Sequence, residues 1–211
     1  EHKDLESGLR HLVWDRFGVL HEEPVRLLLD DLRGAVQLYS ILSLVGAGCH
    51  RVSEIGGRLG KPMSSLMRPL ANLCELGYVR RDVPFGENPK NSKRSLYRLQ
   101  DSFLRFYFQF VLPYESSLAQ GLTAEAQRAW QSAKGQHVAA CWEELSRMSA
   151  PWLWGGQRWG AAAAWWGGAG GPVEIDVVAQ SLDGKDLLVG ECKWAEKNTT
   201  VDVGRLAAEL R

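Results

Sequence analysis

Hydrophobic residues, many of them β-branched, dominate two short segments in the C-terminal third of the chain, 173–178 and 187–193. Both segments are bounded by Gly, Pro or Asp, and this pattern predicts two β-strands. Residues 181–186 separate them and contain Asp183-Gly184, a dipeptide typical of tight hairpin turns. The pattern therefore predicts a β-hairpin in this part of the chain.

Charged residues fall on alternate positions of the predicted hairpin. Because side chains alternate between the two faces of a strand, Glu174 and Asp176 share a face of the first strand, and Glu191 and Lys193 share a face of the second. If the register brings these faces together, carboxylates and one lysine meet at one place. Carboxylate oxygens suit Mg²⁺, and an ammonium group can position water or offset phosphate charge. This arrangement is a hypothesis for metal-dependent phosphodiester cleavage. The alternative is a solvated sheet face.

The middle of the chain changes to helical spacing. Its apolar periodicity, with Pro and Gly at the helix ends, predicts three helices and then two strands joined by a loop rich in Pro, Gly, Asn and Lys. The predicted elements are helices at 35–45, 52–60 and 62–76, strands at 78–83 and 95–99, and a loop at 84–94. Three helices followed by a two-stranded ribbon predict a winged helix-turn-helix.

This middle part of the chain is basic. From Arg51 to Arg98 there are ten Lys or Arg and four Asp or Glu, a balance of +6. Side chains of these types suit contacts to phosphates and to base edges, so DNA is the expected partner. The alternative is a winged helix that mediates only protein contacts. The predicted nucleic-acid-binding residues are Ser64, Ser65, Arg68, Asn72, Arg80, Arg81, Lys90, Lys93 and Arg94.

Aromatic residues recur at helical spacing in the segment 101–111, at positions 103, 106, 107 and 110. This spacing predicts a buried helix. A platform that stacks nucleobases is the alternative.

Asp176 followed by Glu191-Cys192-Lys193 resembles the Asp…Glu-x-Lys signature of the PD-(D/E)XK nuclease superfamily. That superfamily also uses an acidic residue on a preceding helix, and Glu143 matches it. The resemblance implies a restriction-endonuclease-like α/β domain in which Asp176 and Glu191 bind Mg²⁺ or Mn²⁺. It also implies that Lys193 positions the attacking water and that Glu143 binds a second metal ion or orients its water.

Four segments in order resemble the C-terminal half of a family of prokaryotic, often archaeal, AAA+-like P-loop ATPases. They are residues 23–29, the predicted winged helix, residues 101–107 and residues 190–194. The resemblance implies a parent protein whose N-terminal ATPase domain is a partner of this chain. The chain itself contains no P-loop motif, so no ATP site is expected in it.

The expected fold class is α/β (α+β), with four parts. Residues 1–34 are the helical tail of the ATPase module, 35–100 the winged helix-turn-helix domain, 101–135 a helical connector and 136–211 the PD-(D/E)XK nuclease-like domain. The superfamily's fourth strand is missing before Arg211. The nuclease-like domain is therefore expected to be incomplete at its C-terminus, and the chain to be a fragment of a longer protein.

Composition sets further limits. The 211 residues have a formal net charge of zero, so bulk charge does not make the whole chain a polyanion binder. No apolar run is long enough to span a membrane. The four cysteines lie far apart without a C-x-x-C motif, which indicates free thiols and a cytoplasmic location. A homo-oligomer is left open. The family resemblance implies that the Trp- and Gly-rich segment 151–172 contains a strand that begins at Arg158-Trp159 and leads into the Asp176 strand, with residues 167–171 as a flexible turn. Its tryptophans are expected to be buried against the sheet, and a partner surface is the alternative.

Two interpretations from other functional classes stay open. The first is a non-catalytic DNA- or protein-interaction module that regulates the ATPase, in which the nuclease-like fold only shapes a surface. Absence of metal binding would favour it. The second is a transcriptional regulator, which requires a discrete operator, so that sequence-blind DNA binding would count against it.

Overall fold

The structure is a computed structural model that describes residues 4–26, 35–152, 158–167 and 173–195. The chain divides into two compact units. The first unit comprises Glu1–Arg81 and Leu96–Ala133, and the second comprises Asp82–Ser95 and Lys134–Arg211. Sequence predictions for residues 1–3, 27–34, 153–157, 168–172 and 196–211 lie outside the described residues.

The first unit is mainly helical. A long helix, α7, begins in this unit and ends in the second. The elements are α1 (Leu5–Leu9) with a π-helical turn (Arg10–Trp14), α2 (Ala35–Gly46), α3 (Val52–Leu59), α4 (Met63–Glu75), β1 (Val79–Asp82), β2 (Leu96–Leu99), α5 (Ser102–Phe106) with a π-helical turn (Tyr107–Val111) and a 3-10 turn (Leu112–Tyr114), α6 (Glu115–Ala119) and α7 (Ala124–Ser149) with a 3-10 turn (Ala150–Trp152).

The helix α4 shows why the predicted elements form. Leu66, Leu70 and Leu73 recur every three or four residues and are fully buried, while the polar residues between them are exposed. The helix ends at Glu75, and Gly77 two residues later has a φ of 79°, a left-handed conformation that glycine adopts without steric cost. The predicted third helix and its glycine stop are therefore confirmed.

Aromatic side chains form the centre of the first unit. Asp101 is the N-cap of α5, because its carboxylate accepts a hydrogen bond of 2.8 Å from the Leu104 N–H. The ring centroid of Phe106 then lies 5.1 Å from that of Trp130 and 5.5 Å from that of Trp14. The predicted burial of the aromatic segment is confirmed, although its second half is a π-helical turn.

The second unit contains a three-stranded antiparallel sheet in the order β3-β4-β5. Its strands are β3 (Ala163–Gly167), β4 (Val173–Gln180) and β5 (Leu187–Gly190). The Ser181 N–H donates to the Asp186 carbonyl at 2.9 Å and closes the turn between β4 and β5, in which Gly184 has a φ of 75°. The predicted hairpin is therefore confirmed.

The fold class is a mixed α+β structure with small sheets, as expected. The winged helix and the PD-(D/E)XK fold stay predictions. Among the described residues, no helix is both long and apolar enough to cross a membrane.

Gly46 gives a test of packing in the first unit. A Cβ atom at this position would collide with the Cβ of Phe108, whereas a Cβ at Gly57 on α3 would meet no atom within 4 Å. We expect Gly46→Ala to lower the free energy of unfolding by about 1–3 kcal/mol. The matched variant Gly57→Ala should raise it by roughly 0.5–1 kcal/mol, because alanine has less chain entropy to lose. Chemical denaturation would measure both. Equal effects of the two variants would contradict this packing.

His50 makes the stability of the first unit depend on pH. Its ring Nδ1 donates to the Tyr97 carbonyl at 2.9 Å, and the Tyr97 N–H donates back to the His50 carbonyl at 2.8 Å. Burial, and next the charge of Arg98, lower the pKa of His50 from its ordinary 6.5. Because the folded pKa is below the unfolded value, the ring's contribution to stability is complete above pH 6.5 and is lost as the pH falls below it.

We therefore expect the wild-type melting temperature to fall more than that of His50→Asn between about pH 7.5 and about pH 5.5. The other four histidines are the same in both proteins, so the difference between them isolates His50. The same pH dependence in both proteins would show that His50 does not carry this effect.

Candidate functional site

Asp176 and Glu191 lie next to the last residue pair of the β4–β5 ladder. That ladder ends with the pair Val177 and Gly190, so Glu191 follows β5 and is not part of it. Asp176 and Glu191 are therefore each one residue beyond the last pair, at the same end of the hairpin.

The carboxylate of Asp176 is tied to the chain beyond β5. Asp176 is 9% exposed, and its Oδ2 accepts a hydrogen bond of 2.7 Å from the N–H of Cys192. That N–H therefore bonds to a side chain rather than to a main-chain carbonyl of β4. The strand predicted over 187–193 was consequently too long, because it ends at Gly190.

Lys193 pairs with Glu191. The Lys193 Nζ lies 2.5 Å from Oε1 of Glu191, and the side chains are 52% and 20% exposed respectively. The lysine predicted to act on water is thus already beside the carboxylate predicted to bind metal.

The helix α7 contributes Glu143 and, one turn later, Arg147. The Arg147 Nη1 donates to the main-chain carbonyl of Asp176 at 2.9 Å and lies 3.9 Å from Oε2 of Glu143. Arg147 therefore links the predicted helix acid to the strand that carries Asp176. Sequence reasoning missed this residue, and the only signal for it was the i,i+4 spacing of Glu143 and Arg147.

The charges of Asp176, Glu143 and Arg147 also act on the thiol of Cys192. Burial is the main factor that raises the pKa of the Cys192 thiol, the Asp176 and Glu143 carboxylates raise that pKa further, and a Ser146 hydrogen bond and the Arg147 charge act in the opposite direction. The thiol is therefore neutral at physiological pH, and α7 and β4 both contribute to its surroundings.

The carboxylates of Asp176 and Glu191 are the candidate ligands for Mg²⁺. Within the described ranges, no group of three or more His, Cys, Asp or Glu side chains is arranged to hold a metal ion. Mg²⁺ usually keeps several waters and binds proteins through one or two carboxylates. Asp176 and Glu191 provide two carboxylates at the same end of the hairpin, so the chemistry of these residues fits a hydrated Mg²⁺ or Mn²⁺.

The predicted nucleic-acid-binding residues fall into three places. Four lie on the exposed face of α4, opposite its buried leucines, and two lie on β1, where Arg81 is exposed and Arg80 is half-buried. The α4 residues are Ser64, Ser65, Arg68 and Asn72. The other three, Lys90, Lys93 and Arg94, lie in the segment 82–95, which groups with the second unit.

The segment 82–95 is bound to β3. The Arg94 guanidinium pairs with Glu87 and donates to the Trp166 carbonyl at 2.7 Å, while the Trp166 indole N–H donates to the Arg94 carbonyl at 3.1 Å. The Phe85 N–H also donates to the Ala164 carbonyl at 2.9 Å. Arg94 is therefore engaged within the protein, so a phosphate would have to compete with Glu87 for it. Lys90 and Lys93 are exposed.

Comparisons with known proteins agree with the expectation of archaeal-type relatives. Residues 107–203 match the model of the DUF234 family, which is described as archaeal and bacterial proteins of unknown function. The chain is also 35% identical over 82 residues to an uncharacterized protein of Methanocaldococcus jannaschii, a match that covers 39% of this chain and 18% of that protein. No solved structure matches the chain. The ATPase affiliation stays a prediction.

Proposed function

We propose that the second unit is a metal-dependent nuclease-like domain that hydrolyses phosphodiester bonds in DNA, and that the first unit binds DNA through a winged helix. One observation carries the proposal. Asp176 and Glu191 lie at the same end of the β4–β5 ladder, the Asp176 carboxylate bonds to the N–H of Cys192 next to Glu191, and Lys193 is paired with Glu191. The resemblance to the C-terminal half of P-loop ATPases further supports a role within a larger ATP-dependent protein.

Each residue of the site has a role in this proposal. Asp176 and Glu191 hold a Mg²⁺ or Mn²⁺ ion, which supplies Lewis acidity and favours ionisation of water. The ammonium of Lys193 orients the attacking water and balances negative charge that develops on the phosphate oxygens. The hydrogen bond from the Cys192 N–H fixes the direction of the Asp176 carboxylate.

The exposed face of α4 supports the DNA-binding part of the proposal. Arg68 and Asn72 are exposed one turn apart, and Ser64 lies one turn before Arg68. An arginine in this position suits phosphate contact, and an amide suits a base edge.

The first test is cleavage of supercoiled DNA in the presence of Mn²⁺. We expect Asp176→Asn and Lys193→Ala each to lower the cleavage rate roughly 10²-fold or more, because a group that takes part in proton transfer or charge stabilisation is lost. Gel electrophoresis over a time course would measure the rates.

Lys185→Ala is the matched control for Lys193→Ala. Lys185 lies on the hairpin turn with its side chain 79% exposed, so its loss should leave the rate unchanged. An Asp176→Asn protein that cleaves as fast as wild type would exclude this mechanism.

A second test concerns DNA affinity. We expect Arg68→Ala to weaken binding to a DNA duplex and to reduce the slope of log affinity against log salt by about one unit, because one phosphate contact is removed. Arg94→Ala should have less effect, because the Arg94 side chain is bonded to Glu87 and Trp166. Fluorescence anisotropy between about 50 and 200 mM salt would measure both. A larger loss for Arg94→Ala than for Arg68→Ala would contradict this division of roles.

A second candidate function is a non-catalytic interaction module. Asp176, Glu191 and Glu143 each already form a hydrogen bond or an ion pair within the protein, and this favours the second function. If calorimetry showed no uptake of Mn²⁺ at millimolar concentration, this second function would be preferred.

A further inference from the structure

The acids of the proposed site are balanced by groups of the same unit. The Cys192 N–H bonds to Asp176 at 2.7 Å, and the Lys193 ammonium lies 2.5 Å from Glu191. The guanidinium of Arg147 lies 3.9 Å from Glu143. Within the described ranges, a guanidinium lies beside Glu143 and an ammonium beside Glu191, so a divalent ion would have to bind in the presence of both cations.

Arg147 differs from Lys193 in its position and its burial. Its side chain is 19% exposed, against 52% for Lys193. Its Nη1 bonds to the main-chain oxygen of Asp176 at 2.9 Å, so the guanidinium lies between α7 and the residue proposed as a metal ligand. A guanidinium stays charged at every physiological pH, and a largely buried charge is less screened by water.

We propose that Arg147 is the internal counter-ion of this site, and that it restricts the site to one divalent ion. This inference rests on the proposed function. Arg147 holds Glu143 as an ion pair, so Glu143 positions the guanidinium instead of binding metal. The ion is then held by Asp176 and Glu191. Arg147 repels the ion and keeps its affinity low until the phosphate of a substrate adds negative charge.

The direction in which metal affinity changes when Arg147 is replaced distinguishes a counter-ion from a purely structural residue. If Arg147 only held α7 against β4, its replacement would loosen the site and weaken metal binding. If it acts as a counter-ion, removing its charge strengthens metal binding, because repulsion of the ion is lost and the Glu143 carboxylate is released.

The experiment is a titration of the 211-residue chain with Mn²⁺, in which the electron paramagnetic resonance signal reports free Mn²⁺. The proteins are wild type, Arg147→Gln, Arg147→Lys and Arg128→Gln. Glutamine is polar but has no charge, and lysine keeps the charge. Arg128 is an exposed arginine on the same helix and serves as the control. Near-UV circular dichroism of the tryptophans would verify the fold of each variant.

We expect one Mn²⁺ per wild-type chain, binding about tenfold tighter in Arg147→Gln, and wild-type affinity in Arg147→Lys and Arg128→Gln. Equal or weaker binding by a folded Arg147→Gln, or two ions per wild-type chain, would overturn the inference and leave the proposed function standing. If Arg147→Gln does not fold, the Mn²⁺ affinity of Arg147→Lys tests the inference. Wild-type affinity would support it, and a clear loss of affinity despite the retained charge would overturn it. No uptake of Mn²⁺ by any of the proteins would overturn the proposed function together with the inference.

Discussion

The hydrogen bond between the Asp176 carboxylate and the Cys192 N–H is the constraint on which the second unit depends. An aspartate side chain that is 9% exposed is tolerated only when polar groups compensate it. The bond of 2.7 Å does so, and it also removes Cys192 from the β-ladder, so that β5 ends at Gly190. Arg147 bonds to the carbonyl of the same residue, so β4, α7 and the chain after β5 are all joined at Asp176.

Local chemistry made much of the fold predictable from sequence. The turn between β4 and β5 needs a residue with positive φ, and Gly184 in the Asp-Gly pair supplies it. The helix α4 follows from leucines at helical spacing and from Gly77 at its end. In both cases the determining residues lie within a few positions of one another, so the signal survives in a short stretch of sequence.

The parts that sequence missed depend on contacts between distant residues. The N–H of Cys192, just after β5, bonds to a side chain 16 residues earlier, and Arg147 bonds to Asp176 across 29 residues. Neither contact has a local pattern. The Glu-x-Lys spacing pointed to Glu191 and Lys193 together, and these two side chains do form an ion pair. The same signature does not include an arginine, so it could not predict Arg147 beside Glu143 on α7.

The segment 82–95 has a consequence for how the second unit can exist on its own. Two alternate carbonyls of β3, those of Ala164 and Trp166, accept hydrogen bonds from the Phe85 N–H and from the Arg94 guanidinium. Alternate carbonyls of a strand point to the same side, so the segment covers the free edge of the sheet. Exposed sheet edges promote pairing between molecules and aggregation. A polypeptide cut to begin after Ala133 would keep all three strands but lose this cover, so the edge of β3 is shielded from pairing with other molecules by a segment whose Arg94 lies 72 positions before Trp166.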